Sequence, residues 1–222
     1  MLRTSLFGIL ICGTLGIALG SAEAGRNANG ALIVHSDPGL VYSSGPPDCG
    51  SALARPSDCA AANPDVEIPD GGANPIVWVL AAFPSAASPE VGVAQFGIDH
   101  SLPGGAVLAY DWCAPVILGF GSDGWPAAGT SVYMGLDPPA TDRVVPLCWF
   151  AVAGSSGDFF STTEDPVLGR AVFVDRGQPA TEDAVDRFGT ARWGSGGSNE
   201  CPPSSSERET NWGEAKARYR RD

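Results

Sequence analysis

Lysine is nearly absent from this chain: Lys216 is the only one, against twelve arginines, and there are just two histidines, His35 and His100. No Cys-x-x-Cys occurs, so a zinc site has neither the thiolate pairs nor the imidazoles it needs. G-x-S-x-G is absent, and a serine nucleophile would find few imidazole bases. Positive charge is scarce as well. The formal net charge is −12, and between the N-terminal segment and the tail from Glu207 the body carries 20 acidic against 7 basic residues, a net of −13. Such a body repels nucleic acid and anionic lipid surfaces, because it has no basic face to neutralise phosphates. No stretch after the first two dozen residues is long and apolar enough to span a bilayer. No long 3.6-residue apolar period interrupts the body, which argues against an α/β architecture. There is no internal repeat.

What the chain has in quantity is turn formers. Twenty-nine glycines and nineteen prolines stand among residues of ordinary apolar content. That composition suits many short strands joined by turns. The centre is Ile76-Val77-Trp78-Val79-Leu80-Ala81-Ala82-Phe83, bounded by prolines and of strand length, which reads as a strand buried on both faces. Around it, strands are expected at 31–35 and 40–42 with a turn at 36–39, then at 66–68, 91–99, 106–110, 116–120, 130–136, 143–153, 171–175 and 190–193. Pro146 cannot donate to a ladder, so the strand there begins after it or carries a bulge. Residues 179–188 read as one helical turn capped by Thr181, and 25–30 as a flexible lead-in. The expected fold is all-β, a single β-sandwich over 25–193.

The ends read differently. Arg3, an apolar stretch over 6–19 and the small-x-small sequence Ala22-Glu23-Ala24 form a secretory signal peptide, 1–24, removed after Ala24. Cys12 does not make a lipobox, because Ile11 stands where a small residue is needed. Residues 194–209 are a Gly/Ser/Pro linker by composition. The tail, 210–222, is basic, and Trp212, Ala215 and Tyr219 share one helical face, with Arg218, Arg220 and Arg221 at its C-terminal end. Export places the chain where disulfides persist. Five cysteines remain after Ala24. Cys49 and Cys59 flank a short loop and are the expected local disulfide, a contribution of about 2–3 kcal/mol in the chain-entropy model. Cys113 and Cys201 are the second expected pair, and Cys148, inside an apolar run, is a buried thiol.

Few residues suggest chemistry. Gly119-Phe120-Gly121-Ser122-Asp123-Gly124 spells GxGxxG, but Trp125-Pro126 and a further strand follow where a dinucleotide site needs a helix, so it reads as a turn. Asp99 and His100 are strand neighbours and point to opposite faces. Acidic clusters at Asp65/Glu67/Asp70, Glu164/Asp165 and Glu182/Asp183/Asp186 are loop acids by default; a carboxylate pair for glycoside hydrolysis or a calcium site are the chemical alternatives. Trp78 and Trp149 belong in the core. Trp112, Trp125 and Trp193 stand at strand ends or turns, where an indole can stack on a sugar. No catalytic residue, metal or cofactor is expected.

The segments Leu32-Ile33-Val34-His35, Gly39-Leu40-Val41-Tyr42, Val79-Leu80-Ala81-Ala82-Phe83-Pro84, Ser88-Pro89, Phe96-Gly97-Ile98-Asp99, Asp123-Gly124-Trp125-Pro126 and Glu200-Cys201-Pro202 resemble a group of uncharacterised exported β-rich proteins of uncultured bacteria. The ending Thr210-Asn211-Trp212-Gly213, with Lys216, Tyr219 and Arg220, looks like a short tail of secreted proteins of such bacteria. That resemblance implies export, one recurrent domain and a sorting role for the tail. Val91–Asp99 followed by Val107–Tyr110 looks like a strand pair of cohesin-type sandwiches, which implies an Ig-like or cohesin-like fold. The function expected is a non-catalytic binding or surface-assembly module, secreted or at the cell surface, whose partner is a protein or a glycan. The alternative is a carbohydrate-binding or glycan-degrading protein using the exposed tryptophans and loop carboxylates.

Overall fold

A computed structural model describes residues 25–43, 49, 55–68, 73–113 and 116–203. Residues 1–24, read as a signal peptide, Asp70 and the tail residues Trp212, Gly213, Lys216, Tyr219 and Arg220 lie outside the described residues. The chain is all-β, in two sheets. The first has the order β1-β3-β8-β5, from β1 (Ala31–Tyr42), β3 (Asn74–Ala82), β8 (Val144–Val152) and β5 (Val107–Trp112). In the second, β4 (Val91–His100) is flanked on one side by β7 (Thr130–Ala140) and then β6 (Val116–Gly121). On its other side β10 (Ala171–Val174) and β9 (Phe159–Thr163) follow one another along the same edge. Beyond them lie β11 (Glu182–Val185), β12 (Gly189–Trp193), β13 (Ser198–Asn199) and the short parallel β2 (Asp65–Val66).

The expected central strand is β3, and every residue from Pro75 to Ala82 is buried. Alternation along a strand sends successive side chains to opposite faces. Val77, Val79 and Ala81 enter the core shared with the second sheet, where Phe96, Ile98, Met134 and Phe160 meet them. Ile76, Trp78, Leu80 and Ala82 enter a separate apolar cluster on the outer face of the first sheet. Trp78 lies directly opposite Trp149 of β8 there. An indole buries some 150–250 Å², worth roughly 4–6 kcal/mol by area, so this outer face is a second core rather than a surface. It is closed by Cys49, Cys59, Ala62, Cys113 and Cys201.

The four bridging cysteines pair with exchanged partners. Cys49 joins Cys113 and Cys59 joins Cys201, with Cα separations of 5.4 and 5.6 Å. The local Cys49–Cys59 bridge expected from loop length does not form, because both cysteines are drawn down onto the outer face and each meets a sulfur from a distant segment. Cys148 is free and buried, and burial pushes its thiol pKa well up, leaving it unreactive.

Other expectations are corrected. Residues 36–39 do not break the first strand; β1 runs through, with a register shift between Ser36 and Val41 where the Asp37 carboxylate accepts from the Gly39 amide. The bulge expected beside Pro146 is present: Leu80 faces Pro146 and Val79 faces Cys148, leaving Leu147 as the extra residue. The helical turn at 179–188 is instead β11, where Asp183 and Val185 are buried and Glu182 and Ala184 exposed, a period of two. The lead-in is ordered: Asn27 is fully buried, and its carboxamide bonds both the amide and the carbonyl of Glu90. Residues 194–203, read as linker, contribute β13 and Cys201 to the body.

Candidate functional site

The two sheets meet differently along their two sides. On the β1 side the seam is bonded. The Leu32 amide donates to the Arg187 carbonyl at 3.0 Å, and the Ser36 amide to Asn63 at 2.8 Å. The Asn199 carboxamide stands in for a strand, accepting from the Val34 amide at 2.8 Å and donating to the Val34 carbonyl at 2.9 Å. On the opposite side, β5 pairs only with β8 and β6 only with β7, so among the described residues both present open backbone edges.

Aromatic rings fill the gap between these edges. Tyr110, Trp112 and Trp125 lie in mutual contact, with centroids 5.8, 6.2 and 6.3 Å apart, and Trp112 and Trp125 are inclined by only 28°. Phe150 lies 5.8 Å below Trp125 and 4.8 Å from Phe160, linking the edge to the core. The glycines explain how two indoles fit. A Cβ on Gly119 would sit 2.4 Å from Trp112 Cε2, and one on Gly121 2.4 Å from Trp125 Cβ. The GxGxxG spelling is therefore a pair of seats for indoles on a strand, with Gly124 alone in the turn, at φ +85°. The expected turn begins only after Gly121.

Tyr110 of that cluster and apolar side chains around it face solvent. Leu108 and Tyr110 of β5, Ile117, Leu118 and Phe120 of β6 and Tyr133 of β7 are all exposed, Ile117 by 66% and Phe120 by 60%. β6 has none of the charges or prolines that usually blunt an edge strand. Leu118 and Phe120 lie on the face of β6 opposite Gly119 and Gly121, and Tyr133 stands directly across from Phe120, so exposed apolar side chains are concentrated on this side of the body, as at interaction surfaces. Of the three tryptophans offered as ligand contacts, Trp112 and Trp125 converge here, half-buried. Trp193 does not: it is 1% exposed, packed against Gly154 in the shared core, and offers no face to a ligand.

Beside the edge, His100, Pro103, Gly105, Val107, Gly124 and Pro126 line a cleft of about 270 Å³. The His100 ring stacks on Phe160 at 9°, and its Nε2 lies 3.2 Å from the Pro126 carbonyl oxygen. Asp99 accepts from the His100 backbone amide, not from the ring. His100 Nδ1 and Trp125 Nε1 are buried without a hydrogen-bond partner.

The described members of the acidic clusters serve local structure or face solvent. Asp65 accepts from the Gly197 amide, Glu182 pairs with Arg170 at 3.1 Å, and Glu164 and Glu67 are exposed. Among the described residues no three His, Cys, Asp or Glu side chains are grouped to hold a metal. Burial alone would push the Asp165 carboxyl up. The Gln95 carboxamide, the amides of Val167 and Leu168 and the Ser131 hydroxyl together outweigh it and hold the pKa below the ordinary value. Asp175 is held low chiefly by the Thr181 amide, with burial opposing and the Gly177 amide assisting. A carboxyl depressed in the folded state stabilises above its unfolded pKa of about 3.9, and that contribution is lost as pH falls through the folded value. The melting temperature is therefore expected to fall from about pH 4 downward, less steeply in Asp165→Asn and Asp175→Asn. Parallel pH profiles in wild type and both variants would refute this role.

The exposed edge could not be found from the tryptophans alone. A legible signal was the uncharged run of β6, whose apolar residues outnumber what two inward glycines can bury. No family model, curated protein or solved structure matches this chain.

Proposed function

We propose that this chain is an exported, non-catalytic binding module that takes an extended, apolar segment of a cell-surface protein along its β5–β6 edge. In this reading residues 1–24 are a signal peptide, the body from Gly25 onward is a β-sandwich of the Ig-like or cohesin-like kind, and 210–222 is a sorting tail. It keeps the resemblance to exported β-rich proteins of uncultured bacteria. Two disulfides fit an oxidising compartment. No helix among the described residues is long and apolar enough to cross a membrane.

The observation that carries the reading is the asymmetry of the seams: bonded at β1, open and apolar at β5 and β6. Strand addition uses such an edge, with main-chain bonds giving affinity and alternate side chains specificity. A glycan is the other reading, drawing on Tyr110, Trp112 and Trp125. The surface favours protein. Half of its exposed members are aliphatic, the two indoles lie against each other, and a sugar site needs converging polar groups to fix hydroxyls.

The test is binding of the purified exported chain to intact cells of its source. Phe120→Asp, at an exposed position, leaves folding within about 0.5 kcal/mol. It is expected to weaken saturable binding roughly 30-fold, the loss of about 2 kcal/mol typical of an interface anchor. Proteinase treatment of the cells should abolish binding and periodate oxidation of their glycans should not. Wild-type binding by Phe120→Asp would sink the proposal, and periodate sensitivity would replace it with the carbohydrate reading. Glu164→Ala is expected to change nothing on a glycan panel.

A further inference from the structure

Asp183 of β11 accepts two backbone hydrogen bonds and lacks a cation among the described residues. Its Oδ1 accepts from the Gly25 amide and its Oδ2 from the Asn27 amide, both at 2.9 Å, and the residue is buried to 7% exposure. Among the described residues no guanidinium or ammonium pairs with it. Arg26 is committed to Glu90 and acts also on Asp175. The side chain is thus buried with two backbone amides as its partners and no cation beside it among the described residues, a place where an added opposite charge forms a buried pair.

We infer that the missing charge is the chain's own new N-terminus. Hydrolysis of the Ala24–Gly25 bond adds one water, leaves a carboxylate on Ala24 and frees an amine on Gly25. That amine takes up a proton at neutral pH, since α-amino groups titrate near 8. The nitrogen already lies 2.9 Å from Asp183 Oδ1, so the ammonium forms an ion pair with no movement of the chain. The seat is tight around glycine: a Cβ at position 25 would lie 2.3 Å from Asp183 Oδ2 and would push the carboxylate aside. The turn that delivers it is fixed, with the Ala28 amide donating to the Gly25 carbonyl at 3.1 Å and Asn27 locked to Glu90. Asp183 is a receptor for the processed terminus, and removal of the leader completes the fold by supplying a buried ion pair that the precursor lacks. This rests on the export reading given above.

The test starts from protein recovered after export. Intact mass is expected to place the first residue at Gly25. The folded protein is then treated with an amine-acylating reagent near neutral pH. The chain has two amine classes only, the α-amine and the single lysine, Lys216, which serves as the internal reference. Acylation at Gly25 is expected to be at least tenfold slower than in urea-unfolded protein, and Asp183→Asn should remove that protection. A chain that retains Ala24 should melt about 5 °C lower than one beginning at Gly25, a difference absent in the Asp183→Asn background. A first residue other than Gly25 would overturn the cleavage site, and an uncut exported chain would overturn the export reading itself. Cleavage at Gly25 with equal acylation in folded and unfolded protein would overturn the receptor alone. Should Asp183→Asn fail to fold, the comparison of Ala24-retaining and Gly25 chains decides.

Discussion

Replacing Cys59 and Cys201 by alanine is expected to be the most damaging change the body can receive. The bond closes a separation of 142 residues, and the chain-entropy model assigns a loop of that size about 5 kcal/mol. The bond Cys49–Cys113 closes 64 residues, about 4 kcal/mol alone. The two loops interleave, since Cys59 lies between Cys49 and Cys113 and Cys201 lies outside both, so the contributions overlap and their sum is an upper bound. A domain of this size is stable by only about 5–15 kcal/mol. Loss of the longer bridge therefore removes a large share of the total, and it also uncovers the outer cluster around Trp78 and Trp149. Urea unfolding of Cys59→Ala/Cys201→Ala should show its midpoint moved far toward zero denaturant, and reduction of the wild type should do the same. An unchanged midpoint would show that the outer core holds without its covalent cover.

Trp193→Ala is the second large effect, and it separates structure from recognition. The indole is 1% exposed and lies in the shared core, with Gly154 beneath it. Removing a buried tryptophan costs about 3–5 kcal/mol through lost burial and the cavity left behind. Protein that remains folded should bind cells as wild type does. Trp112→Ala is expected to loosen the edge itself and to weaken binding, because its ring supports Trp125 and Tyr110. Equal binding losses in both variants, measured at matched folded fractions, would contradict the division of roles.

These two changes also show where the sequence was legible. The run 76–83 announced a strand buried on both faces because eight apolar residues between prolines leave no polar face to expose. Pro146 announced its own bulge for a local reason, the missing amide. The disulfide partners were hidden because proximity in sequence is a poor guide once two segments are drawn to one apolar surface. Residues 179–188 carried helix-like capping signals, yet pairing with β10 overrode them, and the alternation of Asp183 and Val185 was the clue. Phe159–Thr163 was missed as a strand, since serine and threonine dilute its alternation. The edge was half legible: two of three tryptophans lie there, but the exposed aliphatics of β6 looked like any buried strand until its neighbours were known.

The interleaved bridges have a mechanical consequence. If the tail is held at a surface and the body is pulled away, tension enters at Cys201 and crosses its sulfur bond directly to Cys59. Only the stretch from Gly25 to Cys59, 34 residues apart in sequence, then lies on the shortest covalent path to the N-terminus. Fully drawn out it measures about 110–120 Å, whereas an unbridged chain from Gly25 to Cys201 would pay out roughly 600 Å. Residues between Cys59 and Cys201, which include β3 to β13 and so strands of both sheets, lie off that path and are shielded from a load applied between the two ends, whereas an unstapled domain would unravel through them.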